Sequence, residues 1–296
     1  SGERPETTAA GGDESADDAT FPVTVSDDDG EVTIEAEPTA IVSLSPTGTE
    51  MLFAIGAGDQ VVAVDEYSYY PDEAPVTDLS GFQPNVEAIA GYEPDLVLLS
   101  SDPGDVVDGL AALGVPTLVF DAAATLDEAY AQIEVLGAAT GHVGDAAELV
   151  SQMQTDIDRI VADAPDGAEG MTYYHELSPD YYSITSDTFI GEIYGTLGLT
   201  SIGDEADGAA DAGGYPQLSA EFIVDADPDF IFLADAQCCD QTPEAVAARP
   251  GWNVLSAVVD ERVIVVDEDV ASRWGPRTVD FLDDVAEQVG AAVGAS

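Results

Sequence analysis

The chain carries one duplicated segment, and this duplication restricts its fold more than any other feature. Residues 85–103, NVEAIAGYEPDLVLLSSDP, recur 134 positions later at 219–237 as SAEFIVDADPDFIFLADAQ. Glu87 aligns with Glu221, Ile89 with Ile223, Glu93 with Asp227, Pro94-Asp95 with Pro228-Asp229, and Leu99 with Leu233. Each copy reads as a short amphipathic helix, a Pro-Asp turn and a continuous apolar run. Such a run suits a strand buried on both faces of a parallel sheet. Solenoid repeats have periods of about 20–50 residues, so two copies at this spacing mark a duplicated lobe.

Between the copies lies His142–Ala164, HVGDAAELVSQMQTDIDRIVADA, with apolar residues at Ala146, Leu149, Val150, Met153, Ile157, Ile160, Val161 and Ala164. Steps of three and four place them on one face of a helix. At 1.5 Å per residue that helix is roughly 30 Å long, about a domain diameter. Gly144-Asp145 is the expected start, with Asp145 capping free N–H groups, and Pro165-Asp166-Gly167 is the expected stop.

The remaining pattern alternates strands with helices. Phe21–Pro38 alternates on either side of Asp27-Asp28-Asp29-Gly30, a hairpin signal. Strands are expected at Ala40–Ser45, Val61–Asp65, Leu96–Leu99, Thr117–Asp121, Met171–Glu176, in the second repeat, and at Arg262–Asp267. Helices are expected after Glu50, near Val106–Leu113, Leu126–Ala139, Thr188–Leu197 and Pro243–Ala248, and over Arg277–Val289. This succession predicts an α/β fold: two Rossmann-like lobes with parallel sheets, joined by the long helix, with a ligand cleft between them. The expected divisions are a disordered acidic linker at 1–20, an N-terminal lobe at 21–141, the connecting helix at 142–166 and a C-terminal lobe at 167–296.

Charge removes several function classes. Sixty acidic residues face six basic ones, all arginine, for a net charge of −54. Yet 45% of residues are apolar and the periodicities persist, so this is not a disordered acidic chain. Self-repulsion of that size destabilises a compact state in dilute buffer. At about 1 M salt the Debye length falls to about 3 Å and screens it, as expected for a protein of a salt-saturated habitat such as a halophilic archaeon's. A nucleic-acid partner needs a cationic footprint that is missing here. No apolar run reaches the length of a membrane span. The Gly-, Ser-, Thr- and acid-rich start suits a linker that tethers a globular body to a surface. Two histidines, His142 and His175, and two adjacent cysteines, Cys238 and Cys239, leave little for a catalytic triad or a zinc site. The cysteine pair is open to two states, free thiols or a strained vicinal disulfide.

Ligands in parallel sheets bind outside the carboxyl ends of the strands. The loops predicted there carry ten rings: Tyr67, Tyr69, Tyr70, Phe82, Tyr174, His175, Tyr181, Tyr182, Tyr215 and Trp274. They suit a large, flat or apolar ligand. Arg273-Trp274-Gly275-Pro276-Arg277 holds two of the six cations. Either they pair locally, with Asp269, Asp280 or Asp283, or they donate to oxygens of a ligand in the cleft.

The succession SPTGTEMLFAIGAGDQVVAV, YSYYP, GFQPNVEAI, EPDLVLL, YPQLSAE, DPDFIFL and RWGPR resembles the substrate-binding proteins of ABC importers. It is most similar to the cobalamin (vitamin B12)-binding members of the group with a single helical hinge. The match covers about residues 21–292. The resemblance implies a rigid two-lobed binder that performs no chemistry and needs no cofactor or metal of its own. It places Ser45-Pro46 at the cleft floor, and Tyr67, Asp269 and Arg273 against the ligand. Tyr215 stands where these proteins have a Trp, and Phe82 substitutes, shifted by one, for a second cleft Trp. Glu87 and Glu221 match the two glutamates, one per lobe, that dock onto permease arginines. The expectation is an extracytoplasmic, lipid-anchored protein, monomeric when free, that delivers cobalamin to an importer. A haem or ferric-siderophore cargo is the nearest alternative, with His175 as the candidate axial ligand of a haem. A metal-dependent enzyme on a chelatase-like two-lobed fold is the alternative of a different class.

Overall fold

A computed structural model describes residues 20–28, 30–164 and 167–294. The expected linker, apart from Thr20, and the Pro165-Asp166 helix stop lie outside the described residues. The hairpin forms as read, with β1 (Val23–Ser26) antiparallel to β2 (Glu31–Ile34). Its turn is fastened to the large sheet: the N–H groups of Val119 and Asp121 donate to the Asp27 and Asp28 carboxylates, each at 2.8 Å.

The first sheet contains β3 (Ile41–Leu44), β4 (Val61–Asp65), β5 (Val76–Leu79), β6 (Leu96–Leu99) and β7 (Thr117–Val119), in the order β5-β4-β3-β6-β7. All its pairings are parallel. The connecting helices are α1 (Pro46–Ala54), α2 (Val86–Ala90) and α3 (Val106–Ala111); α4 (Leu126–Thr140) and α5 (Val143–Asp163) follow β7. The second sheet, also parallel, is ordered β11-β10-β8-β9 from β8 (Thr172–Glu176), β9 (Thr200–Ser201), β10 (Phe230–Leu233) and β11 (Val263–Val265). With it run α6 (Phe189–Thr196), α7 (Ala220–Ala226), α8 (Ala236–Cys239), α9 (Pro243–Ala247), α10 (Ser256–Val259), α11 (Glu268–Ala271) and α12 (Thr278–Gly294). Elements of four residues or fewer, such as β9, α8, α10 and α11, are too short to show a period in sequence.

The duplication is structural to the level of single hydrogen bonds. Asn85 and Ser219 each cap their repeat helix, accepting from Ala88 N–H at 2.9 Å and Phe222 N–H at 3.1 Å. Glu93 and Asp227 both take left-handed backbone, with φ of 53° and 45°. Asp95 accepts from the N–H groups of Thr39 and Ala40, and Asp229 from Thr172 N–H. Each Pro-Asp turn thus ties the repeat strand to the neighbour it pairs with, β3 in one lobe and β8 in the other.

The long helix α5 has 21 residues and buries Ala146, Val150, Met153, Ile157 and Ile160. It packs against both α4 and α12, so it touches both halves of the chain. Its start differs from the expected one. His142 is the N-cap residue and no side chain caps the helix; Asp145 instead lies 3.2 Å from His142 Nδ1. The cause is a tight corner: His142 N–H donates to Gly137 O at 2.8 Å, and only Gly141, at φ +90°, and His142 separate α4 from α5. That corner needs a glycine at 137. A methyl group there would overlap Ala146 Cβ and sit 2.9 Å from the His142 carbonyl oxygen.

Replacing a helical Gly with Ala ordinarily gains about 1 kcal/mol, whereas overpacking costs about 1–3 kcal/mol. The atoms in the way at Gly137 are backbone and Cβ and cannot swing aside. Gly137→Ala is therefore expected to lower the denaturant midpoint, measured in about 3 M KCl to screen the self-repulsion. A raised midpoint would show that the corner is slack.

Candidate functional site

Both parallel sheets present their carboxyl ends to a common cavity of about 460 Å³. Tyr67 and Tyr69, from the loop after β4, supply one part of its wall. The other lobe supplies His175 and Leu177 from the end of β8, Ile190 from α6, Ala234 and Cys238 beyond β10, and Glu268, Asp269, Ala271 and Ser272 beyond β11. A larger hollow of about 670 Å³ lies between β2 and α3, but it is lined by Pro94, Asp95 and Pro116, at the amino ends of β6 and β7. Parallel-sheet geometry favours the carboxyl-end cavity as the ligand site.

The two lobes are strapped together beside that cavity by a buried carboxylate. Glu50, on α1 and 3% exposed, accepts from Arg273 Nη1 at 2.6 Å and from Arg277 Nε and Nη2 at 2.8 and 2.5 Å. Arg273 Nη2 also donates to the Tyr67 carbonyl at 3.2 Å and to Asp269 Oδ1 at 3.0 Å. The Arg277 guanidinium lies 4.1 Å over the Tyr70 ring and that of Arg273 5.4 Å from the Tyr69 ring. Tyr69 O–H donates to Asp269 Oδ2. That bond, with burial, pushes the Tyr69 phenol above its ordinary pKa.

These contacts give Arg273 a structural role beyond the expected one. It is 7% exposed, does not line the cavity, and spends its guanidinium on Glu50, Tyr67 and Asp269. Pairing with Asp269 was one of the two expectations; Glu50, 223 positions away, was not anticipated. Trp274 is half-buried, packs on the central core and donates from Nε1 to Gln132 Oε1 at 2.7 Å. It too stays out of the cavity.

Strand alternation decides between Tyr174 and His175. Tyr174 is fully buried on the outer face of β8, edge-on to Trp252 at 6.1 Å, and is removed from the set of ligand contacts. His175 points the other way and lines the cavity. It is fully buried, with Nδ1 3.0 Å from Tyr194 O–H, and burial pushes its pKa down to about 3, so the ring is neutral. Its Nε2 has no protein partner. Ser45 is buried with its hydroxyl accepting Gly48 N–H at 3.1 Å, the N-cap of α1, and Pro46 is the first residue of that helix. Phe82 is 76% exposed and meets Tyr67 edge-on at 5.6 Å. Tyr215 is 41% exposed and does not line the cavity. Glu87 and Glu221 are exposed in the first turns of α2 and α7.

A second buried cluster stands behind the cavity wall. Glu176, next to His175 but on the other face, forms a two-pronged pair with Arg249, both bonds 2.5 Å. Arg249 also reaches Gln241 Oε1 at 2.7 Å and lies 4.5 Å over Trp252. Asp235, fully buried, is pushed up to about 7 by burial first and by Glu176 second. Glu50, Glu176, Asp235 and Arg249 were all missed in sequence. The scarcity of cations, applied to Arg273 and Arg277, would have singled out Arg249 as well.

The family model described as "Periplasmic binding protein" matches residues 41–270. The chain belongs to the periplasmic binding protein family. It is 34% identical over 279 residues to an uncharacterised ABC transporter substrate-binding lipoprotein of Bacillus subtilis, covering 91% of this chain and 86% of the relative. It is 32% identical to a cobalamin-binding protein of Halobacterium salinarum, covering 90% and 73%. The crystal structure of the vitamin B12-binding protein of Vibrio cholerae superposes with a TM-score of 0.67 at 26% identity, covering 86% of this chain and 97% of that one. The protein is thus an ABC-type substrate-binding protein of the class that carries B12, haem and siderophores. Among the described residues no helix is long and apolar enough to cross a membrane.

Asp235 keeps its proton to about pH 7 when folded and loses it near 3.8 when unfolded. Between those values the folded state binds the extra proton, so stability falls as pH rises from about 4 to about 7. Asp235→Asn is expected to flatten that slope in denaturant midpoints taken across the window. A slope unchanged by the substitution would assign the pH dependence elsewhere.

Proposed function

We propose that this protein captures a cobalamin outside the cytoplasmic membrane and delivers it to the permease of an ABC importer, without chemistry and without a cofactor of its own. The observation that carries the choice of cargo is the commitment of Arg273 and Arg277 to Glu50. The cavity wall then holds rings, apolar side chains and the carboxylates of Glu268 and Asp269, and no arginine. An anionic ferric siderophore or the propionates of a haem meet no cation there. A corrin fringed with neutral amides meets acceptors for its N–H groups and rings for its flat faces. The Halobacterium relative carries the same cargo by name.

Axial ligation of a haem is disfavoured by the same geometry. His175 lines the cavity but exposes no surface to it, so the metal of a flat macrocycle reaches Nε2 only if neighbouring side chains move. The Tyr69 phenol is held protonated by Asp269. In this reading Tyr67, Tyr69 and Phe82 touch the corrin, Asp269 accepts from its amides, and Tyr215 covers it from the edge of the cleft. Arg273 holds the lobes in register behind it, and Ser45-Pro46 start the helix that carries its partner Glu50.

Calorimetric titration in about 3 M KCl tests the cargo, with cyanocobalamin, haemin and a ferric hydroxamate run side by side. One-to-one binding of cyanocobalamin is expected, weakened about 3- to 10-fold by Tyr67→Ala or Phe82→Ala, the size of an aromatic contact. Binding of haemin or the hydroxamate instead would transfer the role to that cargo. Metal-dependent turnover would point to the enzyme alternative.

Delivery is proposed to use Glu87 and Glu221. In β–α units helix N-termini sit at the carboxyl ends of strands, so both face the side on which the cleft opens. The double variant Glu87→Ala/Glu221→Ala is expected to keep its cyanocobalamin affinity and lose importer-dependent uptake in cells that make the cognate permease. Unimpaired uptake would remove the docking role. A tether through the N-terminal segment, as the lipoprotein name of the Bacillus relative suggests, completes the proposed arrangement.

A further inference from the structure

The two cysteines are joined as a disulfide between neighbours, Cys238–Cys239. Entropic stabilisation by a disulfide grows with the loop it closes, and this one closes none, so global stability does not account for it. Its position does. Cys238 is exposed on the cavity wall, between the β10 end that carries Ala234 and the α11 residues Glu268 and Asp269. The segment that bears it is fastened on every side. Cys238 N–H donates to Glu268 Oε2 at 3.2 Å, Gln237 Nε2 to Asp267 Oδ2 at 3.4 Å, and Cys239 N–H to Asp235 O at 3.1 Å. Gln241 bridges the Cys239 carbonyl, at 3.0 Å, to Arg249, at 2.7 Å. Gln241 thereby ties the disulfide to the Glu176–Arg249 pair.

We propose that the Cys238–Cys239 disulfide is a cargo-contacting plate, one on which a flat macrocycle rests against the C-terminal lobe while Tyr67 and Tyr69 contact it from the other. Oxidation replaces two thiols, each a weak hydrogen-bond donor, by one polarisable apolar surface of fixed shape, and sulfur makes favourable contacts with conjugated rings. The fastened segment holds that surface in place before cargo arrives, so little ordering is lost on binding. This inference rests on the proposed macrocycle-carrying function and adds to it a contact outside the aromatic residues.

The test measures protection and affinity together. Dithiothreitol reduction of the disulfide in the full chain is followed by alkylation and mass spectrometry, with and without saturating cyanocobalamin. Bound cyanocobalamin is expected to slow reduction roughly 10-fold or more. Cys238→Ser/Cys239→Ser is expected to bind cyanocobalamin roughly 2- to 10-fold more weakly, the range of a sulfur–ring contact, at an unchanged unfolding midpoint. If that variant does not fold, the wild-type chain held reduced serves in its place. Cyanocobalamin that binds the wild type yet leaves reduction rate or affinity unaltered overturns the plate and leaves the cargo standing. Failure of cyanocobalamin, haemin and a ferric hydroxamate to bind at all overturns both.

Discussion

Everything about the cleft depends on Glu50 lying between Arg273 and Arg277. The carboxylate sits on α1 of the first lobe, and the arginines precede α12 of the second. Removing one partner of a buried ion pair costs about 3–5 kcal/mol, because the other charge is left without water. The strap therefore holds the lobes at one spacing. It also places the Tyr67–Tyr70 loop, through the Tyr67 carbonyl and the rings of Tyr69 and Tyr70. With both arginines bound to Glu50, the cavity wall carries rings, apolar side chains and the carboxylates of Glu268 and Asp269.

The same economy recurs in the second lobe. Of six arginines in a chain of net charge −54, three are bound to buried glutamates: Arg249 to Glu176, and Arg273 and Arg277 to Glu50. Exposed pairs fade in concentrated salt, whereas buried ones are shielded from it. A strongly acidic chain that keeps few cations gains most by placing them where salt cannot reach. The Glu176–Arg249 pair and Asp235 back the wall that His175 and Ala234 present to the cavity, and Arg249 is stacked on Trp252.

Duplication explains why the two sheets open to one side. Each repeat brings its own cap, left-handed turn and Asp latch, at 85, 93 and 95 and again at 219, 227 and 229. The elements are local, so both lobes build the same β–α edge independently. The Gly137 corner then aligns α5 with α4, and α12 closes on α5 from the other lobe.

Local pattern was enough for most of the fold. The repeat, the apolar runs and the threes and fours of α5 are encoded by neighbours in the chain, and β4 and β6 have the bounds read from sequence. The tyrosine-rich loop after β4 also announced itself as part of the mouth, whereas the vicinal cysteines were legible only as an adjacent pair. What periodicity could not settle was which of two adjacent residues faces the ligand, as with Tyr174 and His175, because that depends on which face of β8 looks into the cleft. Nor could it pair Glu50 with arginines 223 and 227 positions away. Among sixty acids any one has equal claim to a cation. Only the packing of the lobes, which buries Glu50 against Arg273 and Arg277 and keeps the other buried acids elsewhere, decided which carboxylate these two arginines serve.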